Sequence, residues 1–233
     1  MGKIARGVSM ELHKKDTNER LVLKKLPAAV LIVGPSGSGK TPLGDYLEEK
    51  GLGGKRCVHF DFGANLRKVA SEGNKNESLT EKDLDIVTQA LKSGALLEDQ
   101  HFYIAHKILD SFIKSKKLSD DDIIVLNGLP RHVGQAEAID KLVDIRLVIF
   151  LDCMPGVLSQ RIKENSGGDR NNRIDDTPGM LACKLRIFQT RTIPLLNYYR
   201  RRGIKIVSVK VYVKTKPEDI IEQIKEHIHD LES

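Results

Sequence analysis

The stretch Gly34–Thr41 has the residue types and the spacing that bind a phosphate group. It satisfies the pattern G-x-x-x-x-G-K-[ST], in which a glycine-rich turn wraps backbone N–H groups around phosphate oxygens. Its three glycines can adopt backbone conformations that are closed to residues with a Cβ, so successive N–H groups can point inward. Lys40 is expected to reach the β- and γ-phosphates, and the Thr41 hydroxyl to ligate Mg²⁺. The chain is therefore predicted to bind a nucleoside triphosphate or a similar compound.

Positively charged residues recur at the ends of predicted strands and beside a small loop. A single arginine is usually a solvated surface charge, but several around one phosphate site can stabilise the charge that spreads over a phosphoryl group during transfer. This distribution indicates phosphoryl transfer. The residues in question are Arg67, Arg131, Arg161, Arg170, Arg173, Lys184 and Arg186.

The elements on either side of the glycine-rich stretch support a phosphate site over a flexible Gly/Ser turn. Ala28–Val33 is a short apolar run typical of a buried parallel strand. Leu43–Lys50 has the pattern of an amphipathic helix that ends at Gly51. The positive end of that helix dipole would add to the phosphate site.

Strand and helix patterns alternate along the rest of the chain, which predicts a parallel sheet with right-handed crossovers. Ligands of such sheets bind at the carboxyl ends of the strands, where 34–41, 61–67, 127–131 and Asp152 should meet. Residues 1–26 are interpreted as a poorly ordered or loosely docked extension with a short element near 21–23. The predicted strands are 28–33, 56–61, 121–127, 146–152 and 204–213. The predicted helices are 43–50, 62–70, 81–92 (capped by Ser78), 99–114, 133–142, 155–163, 177–201 (one helix or a pair broken around Pro194) and 217–231.

Composition places the chain among ordinary soluble globular proteins. Its 233 residues suit one α/β domain with a lid or small inserted subdomain. A net charge of +6 suits a polyanionic ligand, but Trp is absent and aromatic residues make up only 5%, which argues against a nucleic-acid stacking surface. The three widely spaced cysteines form no metal-binding pattern. No apolar run has the length of a membrane span, so we expect a cytoplasmic monomer without nucleic-acid or membrane partners.

Several motifs in sequence order resemble the adenylate kinase family, the nucleoside monophosphate kinases, from about residue 28 to the C-terminus. Phe62–Arg67 is similar to the segment whose arginine holds the acceptor monophosphate. Asn127–Arg131 with Gln135 resembles D-G-[FY]-P-R-x-x-x-Q, and Arg173–Asp176 resembles the R-x-D-D segment of the lid. The segment from Lys184 to Tyr199 is similar to the family's R-L…T-x-P…Y-Y helix.

The resemblance implies a fold and a set of roles. The fold is a P-loop NTPase three-layer sandwich over 27–233 with a parallel sheet, an inserted helical NMP-binding region at about 62–98 and a short lid at about 162–175. ATP would be bound by Gly34, Ser36, Gly37, Ser38, Gly39, Lys40, Thr41 and Arg161. The nucleoside monophosphate would be bound by Arg67, Ala95, Leu97, Gly128, Arg131, Gln135 and Arg173. The catalytic residues would be Lys40, Arg131, Arg161, Arg173 and Lys184. Mg²⁺ would accompany ATP and be held by Thr41 and, through water, by Asn127.

Some positions depart from the family pattern. Asn127 stands where members usually have the Asp that organises Mg²⁺, so metal binding should weaken unless Asp61, Asp152 or Thr41 compensates. Lys184 replaces an arginine and loses its bidentate fork. Further departures are Phe62 for a small hydroxyl residue, Ala64 for an Asp, and Thr41 and Pro42 for the family's glycine and threonine. The lid lacks four metal ligands, so a structural zinc is not expected.

Three hypotheses on function follow from these observations. The first is a kinase that transfers the ATP γ-phosphoryl group to a nucleoside monophosphate, with AMP as the favoured acceptor. The second is a nucleotide-binding sensor or partner protein with little catalysis, suggested by Asn127 and Lys184. The third is a P-loop kinase for a non-nucleotide acceptor, suggested by Phe62 and Ala64.

Overall fold

A computed structural model describes residues 8–9, 24–72, 79–169 and 177–231. The strands are β1 (Val8–Ser9), β2 (Lys24–Lys25), β3 (Ala28–Val33), β4 (Cys57–Asp61), β5 (Ile123–Asn127), β6 (Asp144–Cys153) and β7 (Lys205–Val211). The α-helices are α1 (Lys40–Lys50), α2 (Phe62–Glu72), α3 (Glu81–Ser93), α4 (Phe102–Ser115), α5 (Val133–Ile139), α6 (Pro155–Glu164), α7 (Pro178–Ile187), α8 (Pro194–Arg201) and α9 (Pro217–Ile224). Asp99–His101 and Lys225–Leu231 are 3₁₀-helices, and Phe188–Thr192 is a π-helix.

The strands β3 to β7 form a five-stranded sheet in the order β4-β5-β3-β6-β7, and every neighbouring pair is parallel. All the carboxyl ends therefore lie along one edge. The register pairs Asp61 with Asn127 and Ile32 with Asn127, so the ends of β4, β5 and β3 are level at the start of the glycine loop. The predicted parallel sheet is confirmed, and it brings the predicted site segments to one edge.

Alternate residues of the central strand β3 face two separate hydrophobic layers, which makes the domain a three-layer sandwich. Leu31 and its neighbours of the same parity pack against the layer that contains α2 to α5 and α8. Val30 and Ile32 pack against α1 and α9. Leu31 and Val30 are completely buried, and full burial of such side chains contributes about 1.5–3 kcal/mol each. The sheet edge that carries the site therefore rests on a rigid, buried strand.

The structure corrects the predicted cap of one helix and decides between two predicted forms of another. Helix α3 begins after Thr80, whose hydroxyl accepts a hydrogen bond from the Asp83 N–H at 3.3 Å while the Asp83 carboxylate accepts from the Thr80 N–H at 2.9 Å. This reciprocal capping box competes with the equally spaced pair that begins at Ser78, which lies outside the described residues. For residues 177–201, the structure confirms the predicted pair of helices broken around Pro194: the Ile193 N–H bonds to the Phe188 carbonyl five residues earlier, and α8 begins at Pro194.

The structure describes little of the N-terminal extension. Val8–Ser9 pairs with Lys24–Lys25 in an antiparallel two-stranded sheet. The short element that we predicted near 21–23 lies outside the described residues.

We predict that Gly44→Ala destabilises the domain. Gly44 is buried in α1, and a methyl group there would overlap the imidazole ring of His59. We expect a loss of about 1–3 kcal/mol in the free energy of unfolding, measured by denaturant titration, because the packed core cannot accept the added volume. Gly156→Ala is the matched control, because a methyl group at that helical position meets no described atom within 4 Å. It should change stability by less than about 1 kcal/mol. Equal effects of the two substitutions would contradict the packing argument.

Candidate active site

A single cleft at the carboxyl edge of the sheet contains most of the predicted site residues. The glycine loop forms one wall, α2 and residues 90–97 form a second, and the segment after β5 forms the third. The predicted residues that line it are Gly34, Ser36, Gly37, Gly39, Lys40, Thr41, Arg67, Ala95, Leu97, Asn127, Gly128, Arg131, Gln135 and Lys184.

The glycine loop has the backbone shape of a phosphate cradle. Gly37 and Gly39 have φ of 92° and 100°, which residues with a Cβ rarely adopt. A methyl group at Gly37 would lie 2.6 Å from Ile162 Cγ1, so the loop is also closely packed from below. Lys40 Nζ donates to the Pro35 carbonyl at 2.8 Å, which places its charge over the loop. These features fit a bound phosphate group.

Ser38 differs from the other predicted loop residues. Its side chain is completely buried, and its hydroxyl has no hydrogen-bond partner within the part of the chain that the structure describes. A methyl group at Gly34 would lie 2.6 Å from Ser38 Oγ, so this hydroxyl points toward the start of the loop. An unsatisfied buried hydroxyl is costly, which fits a position that gains a partner when a ligand binds.

A polar network joins the loop to the ends of β4 and β5. The Thr41 hydroxyl donates to Asp61 Oδ2 at 2.7 Å, and Asn127 Nδ2 lies 2.9 Å from Asp61 Oδ2 and 3.1 Å from Thr41 Oγ1. Behind it, His59 Nε2 lies 3.4 Å from Asn127 Nδ2, and His59 Nδ1 lies 2.8 Å from Asp45 Oδ1. A hydroxyl, a carboxylate and an amide beside a phosphate cradle are oxygen donors of the kind that Mg²⁺ takes, together with waters and substrate phosphates.

The described residues contain no group of three or more His, Cys, Asp or Glu side chains that could hold a metal ion by themselves. In kinase sites Mg²⁺ takes part of its coordination from substrate phosphate oxygens, and a divalent cation beside Thr41 would do the same.

The guanidinium of Arg131 lies in the cleft without a partner among the described residues. Its backbone is held on both sides, because its N–H donates to Gln135 Oε1 at 2.8 Å and its carbonyl accepts from the Thr192 hydroxyl at 2.8 Å. Burial lowers the pKa of the Arg131 side chain to about 10, so it remains charged at neutral pH. A positive charge that is fixed, partly desolvated and without a partner in the described part of the chain is a candidate binding site for an anion. Arg67 is exposed on the opposite wall of the same cleft.

Gln135 has a structural role in addition to its place in the cleft. Its side chain is buried, with Oε1 accepting from the Arg131 N–H and Nε2 donating to the Leu97 carbonyl at 2.9 Å. One amide therefore ties the segment after β5 to the wall that contains Leu97. The prediction that Gln135 contacts an acceptor base stays a prediction, with one N–H remaining for that contact.

Arg161 does not line the cleft. Its side chain is buried, and Nη1 donates to the carbonyls of Tyr212, Val213 and Thr215 at 2.7–3.1 Å while Nε donates to the Gly37 carbonyl at 3.3 Å. It thus braces the glycine loop against the segment after β7. Its predicted contact with ATP would come through the remaining nitrogen, Nη2, which faces Gly39.

The remaining predicted residues divide into two groups. Lys184 lies in the cleft with its side chain buried. Arg173, with the rest of the predicted R-x-D-D segment, lies outside the described residues. Asp152, one of the candidates to compensate for Asn127, is exposed and lies away from the cleft lining.

Sequence reasoning missed several residues of the site. Thr192, which belongs to the T-x-P resemblance but was given no role, and Phe188 reach the cleft from the π-helix, whose altered repeat has no signal in the apolar pattern. The His59–Asp45 pair was missed because neither residue belongs to a motif. The sequence did contain a signal for His59, because it is a polar residue inside an apolar strand, two residues before the strand ends.

We predict that Gln135→Glu weakens both the fold and the acceptor side of the cleft. The second carboxylate oxygen would face the Leu97 carbonyl, where the amide now donates. Because the Leu97 carbonyl would lose its buried hydrogen bond, the free energy of unfolding should fall by about 1–3 kcal/mol. The same substitution at Gln89, which is exposed on α3, is the control and should be nearly neutral. Thermal unfolding of both variants checks this, and a neutral Gln135→Glu would show that the bridge contributes little.

The parallel sheet between two helical layers, with the glycine loop joining β3 to α1, defines the P-loop kinase fold. The family described as AAA domain matches residues 30–178, which is more than half of the chain. The chain belongs to this P-loop family and is an adenylate kinase-like member of it.

Curated relatives and a solved structure agree with that assignment. The chain is 28% identical over 187 residues to an adenylate kinase from Bartonella tribocorum, with 75% of this chain and 88% of the relative aligned. It is 27% identical over 182 residues to an adenylate kinase from Stenotrophomonas maltophilia, with 75% and 86% aligned. The crystal structure of a gluconokinase from Sinorhizobium meliloti 1021 superposes with a TM-score of 0.51 at 16% identity, over 90% of this chain and 98% of that one. This last similarity is one of fold. Among the described residues, no helix combines the length and apolar character needed to cross a membrane.

Proposed function

We propose that this chain is an ATP-dependent nucleoside monophosphate kinase, with AMP as the first acceptor to test. The observation that carries the proposal is the guanidinium of Arg131, which has no partner among the described residues and lies in the same cleft as the phosphate cradle. A protein that only binds a triphosphate needs the cradle alone. A second fixed cation in the same cleft as the cradle would bind the phosphate of a second substrate.

In the proposed reaction, a phosphate oxygen of the acceptor attacks the γ-phosphorus of ATP. The new P–O bond forms as the bond to the β–γ bridging oxygen breaks, and the products are ADP and a nucleoside diphosphate. Arg67 and Arg131 would orient the acceptor phosphate, and Lys40 would stabilise the charge on the transferred group. Lys184, buried in the cleft wall, would add a further positive charge. No general base is required, because positioning and charge stabilisation supply the rate.

The polar end of the cleft beside Thr41 would hold the divalent cation that accompanies ATP. When bound, that cation neutralises charge on the β- and γ-phosphates.

A second candidate, a P-loop kinase for a different anionic acceptor, is favoured by one observation. The Gln135 amide is already bonded to two backbone groups, and the buried Phe62 lines the cleft where the family has a small hydroxyl residue. The part of the cleft that would receive the acceptor base therefore has few free hydrogen-bonding groups.

A coupled ADP-release assay with ATP, Mg²⁺ and each common monophosphate in turn separates these functions. Turnover with one monophosphate supports the proposal and identifies the base. If ATP raises the melting temperature while AMP, GMP, CMP and UMP neither raise it nor react, the second candidate is favoured. Binding of both nucleotides without turnover would instead favour the sensor function.

A further inference from the structure

The carboxylate nearest to the loop threonine belongs to Asp61, at the end of β4, and not to position 127 at the end of β5. Asp61 and Asn127 are direct partners in the parallel register of the two strands. Asp61 Oδ2 lies 2.7 Å from Thr41 Oγ1 and 2.9 Å from Asn127 Nδ2. The negative charge that seemed to be missing at position 127 is thus present on the neighbouring strand.

We propose that Asp61 supplies the carboxylate that balances the nucleotide-bound divalent cation, and that Asn127 is the residue that positions it. This inference rests on the proposed function, because the cation arrives with the nucleotide. In this assignment, the negative charge of the site lies at the end of β4 and not at the end of β5.

The hydrogen-bond directions support this assignment. The Thr41 hydroxyl donates its hydrogen to Asp61 Oδ2, and one lone pair of its oxygen accepts from Asn127 Nδ2 at 3.1 Å. The second lone pair of Thr41 Oγ1 remains for a cation. The Asn127 amide must turn its nitrogen toward Asp61, because the opposite orientation would bring its oxygen against a carboxylate oxygen. In that orientation, Asn127 directs an N–H group and not an oxygen at Asp61, so it orients the carboxylate.

The residues behind Asn127 keep the amide in place. Its nitrogen lies 3.4 Å from His59 Nε2, and His59 Nδ1 lies 2.8 Å from Asp45 Oδ1. If Nδ1 carries the hydrogen and donates it to Asp45, Nε2 is left as an acceptor for the amide. An aspartate at position 127 would instead bring two carboxylates together beside His59, at a cost from their repulsion.

Asp61 also has a structural role at the start of α2, and the experiment has to separate this role from the proposed effect on the cation. Its Oδ1 accepts from the Ala64 N–H at 2.8 Å in the first turn of α2. This contact uses Oδ1 and leaves Oδ2 for Thr41 and Asn127. Because asparagine caps helices as well as aspartate does, Asp61→Asn removes the charge and keeps the cap.

The test is calorimetric titration of ADP and of a non-hydrolysable ATP analogue, once in excess Mg²⁺ and once in EDTA. The measured quantity is the ratio of the two dissociation constants for each variant. Asp61→Asn should lower the Mg²⁺-dependent gain in affinity by about tenfold or more, while binding in EDTA is kept. Asp152→Asn, which changes an exposed carboxylate outside the cleft, should leave the gain at its wild-type value.

The double variant Asp61→Asn with Asn127→Asp provides the stronger test. It keeps one carboxylate and one amide across the two strands, with the charge exchanged, and should recover most of the Mg²⁺-dependent gain. Thermal melts check that each variant is folded. If Asp61→Asn does not fold, the double variant alone is compared with the wild type.

A wild-type Mg²⁺ dependence in Asp61→Asn would overturn the assignment, as would a double variant that stays as weak as the single one. If the wild-type chain binds nucleotide with the expected Mg²⁺ gain but transfers no phosphoryl group to a monophosphate, the proposed function fails while the assignment of Asp61 stands. If the wild-type chain binds no nucleotide in either condition, both fail.

Discussion

Replacing Arg131 by methionine should lower kcat/KM for phosphoryl transfer by about 10³-fold or more and should, at the same time, stabilise the ligand-free protein. The first effect follows from the proposed function, in which the Arg131 guanidinium, with its backbone held at both ends, would bind charge on the acceptor and transferred phosphates. The second follows because this charge has no partner among the described residues and is partly desolvated. Its removal should raise the free energy of unfolding by about 1–3 kcal/mol.

The pH dependence of that stabilisation has a definite sign. Burial lowers the pKa of Arg131 to about 10 in the folded state, so above that pH the unfolded chain binds the proton more tightly than the folded one. The free energy of unfolding of the wild type therefore rises with pH relative to that of the methionine variant. The extra stability of Arg131→Met over the wild type should be largest at neutral pH and should decrease above about pH 10. Thermal melts of both proteins at several pH values measure this difference.

Arg67→Met is the matched control, because Arg67 lines the same cleft but is exposed. It should reduce activity through the acceptor KM and leave the melting temperature nearly unchanged, since an exposed arginine carries little desolvation cost. If Arg131→Met kept its activity, or if it destabilised the ligand-free protein as a core substitution does, an anion site at Arg131 would be wrong.

The sheet and the site edge could be predicted because their signals are local. Val30 and Leu31 belong to a short apolar run next to a glycine loop. Such a run is typical of a buried parallel strand. The parallel order then places the ends of β4 and β5 together without any knowledge of side-chain contacts. The pairing of Asp61 with Asn127 therefore follows from the topology, although which of several carboxylates would face Thr41 does not.

The hydrogen-bond partners within the site could not be predicted in the same way. Arg161 has the residue type of a phosphate ligand, yet three of its bonds go to carbonyls at 212–215, more than fifty residues away in sequence. Gln135 is likewise shared between Arg131 and Leu97. A motif specifies the type of side chain at a position, whereas the packing of distant segments decides which polar groups remain free.

The other large effect is expected for Lys40→Met, which should reduce nucleotide affinity by about tenfold or more and kcat by about 10³-fold. Lys40 is the first residue of α1, and its Nζ is held over the loop by the Pro35 carbonyl. An ammonium group placed there stabilises the charge on the β- and γ-phosphates, and a methionine of similar length keeps the packing without the charge.

Lys50→Met is the control for this substitution, because Lys50 lies in the last turn of the same helix and is paired with Glu49 at the surface. It should bind nucleotide and turn over as the wild type does, since exposed ion pairs contribute little. Calorimetry with ATP analogue and the ADP-release assay measure both variants. Normal nucleotide affinity in Lys40→Met would mean that the loop binds phosphate by its backbone alone, and that the side chain acts only in transfer. Normal turnover in that variant would rule out the proposed role of Lys40 in stabilising the transferred phosphoryl group.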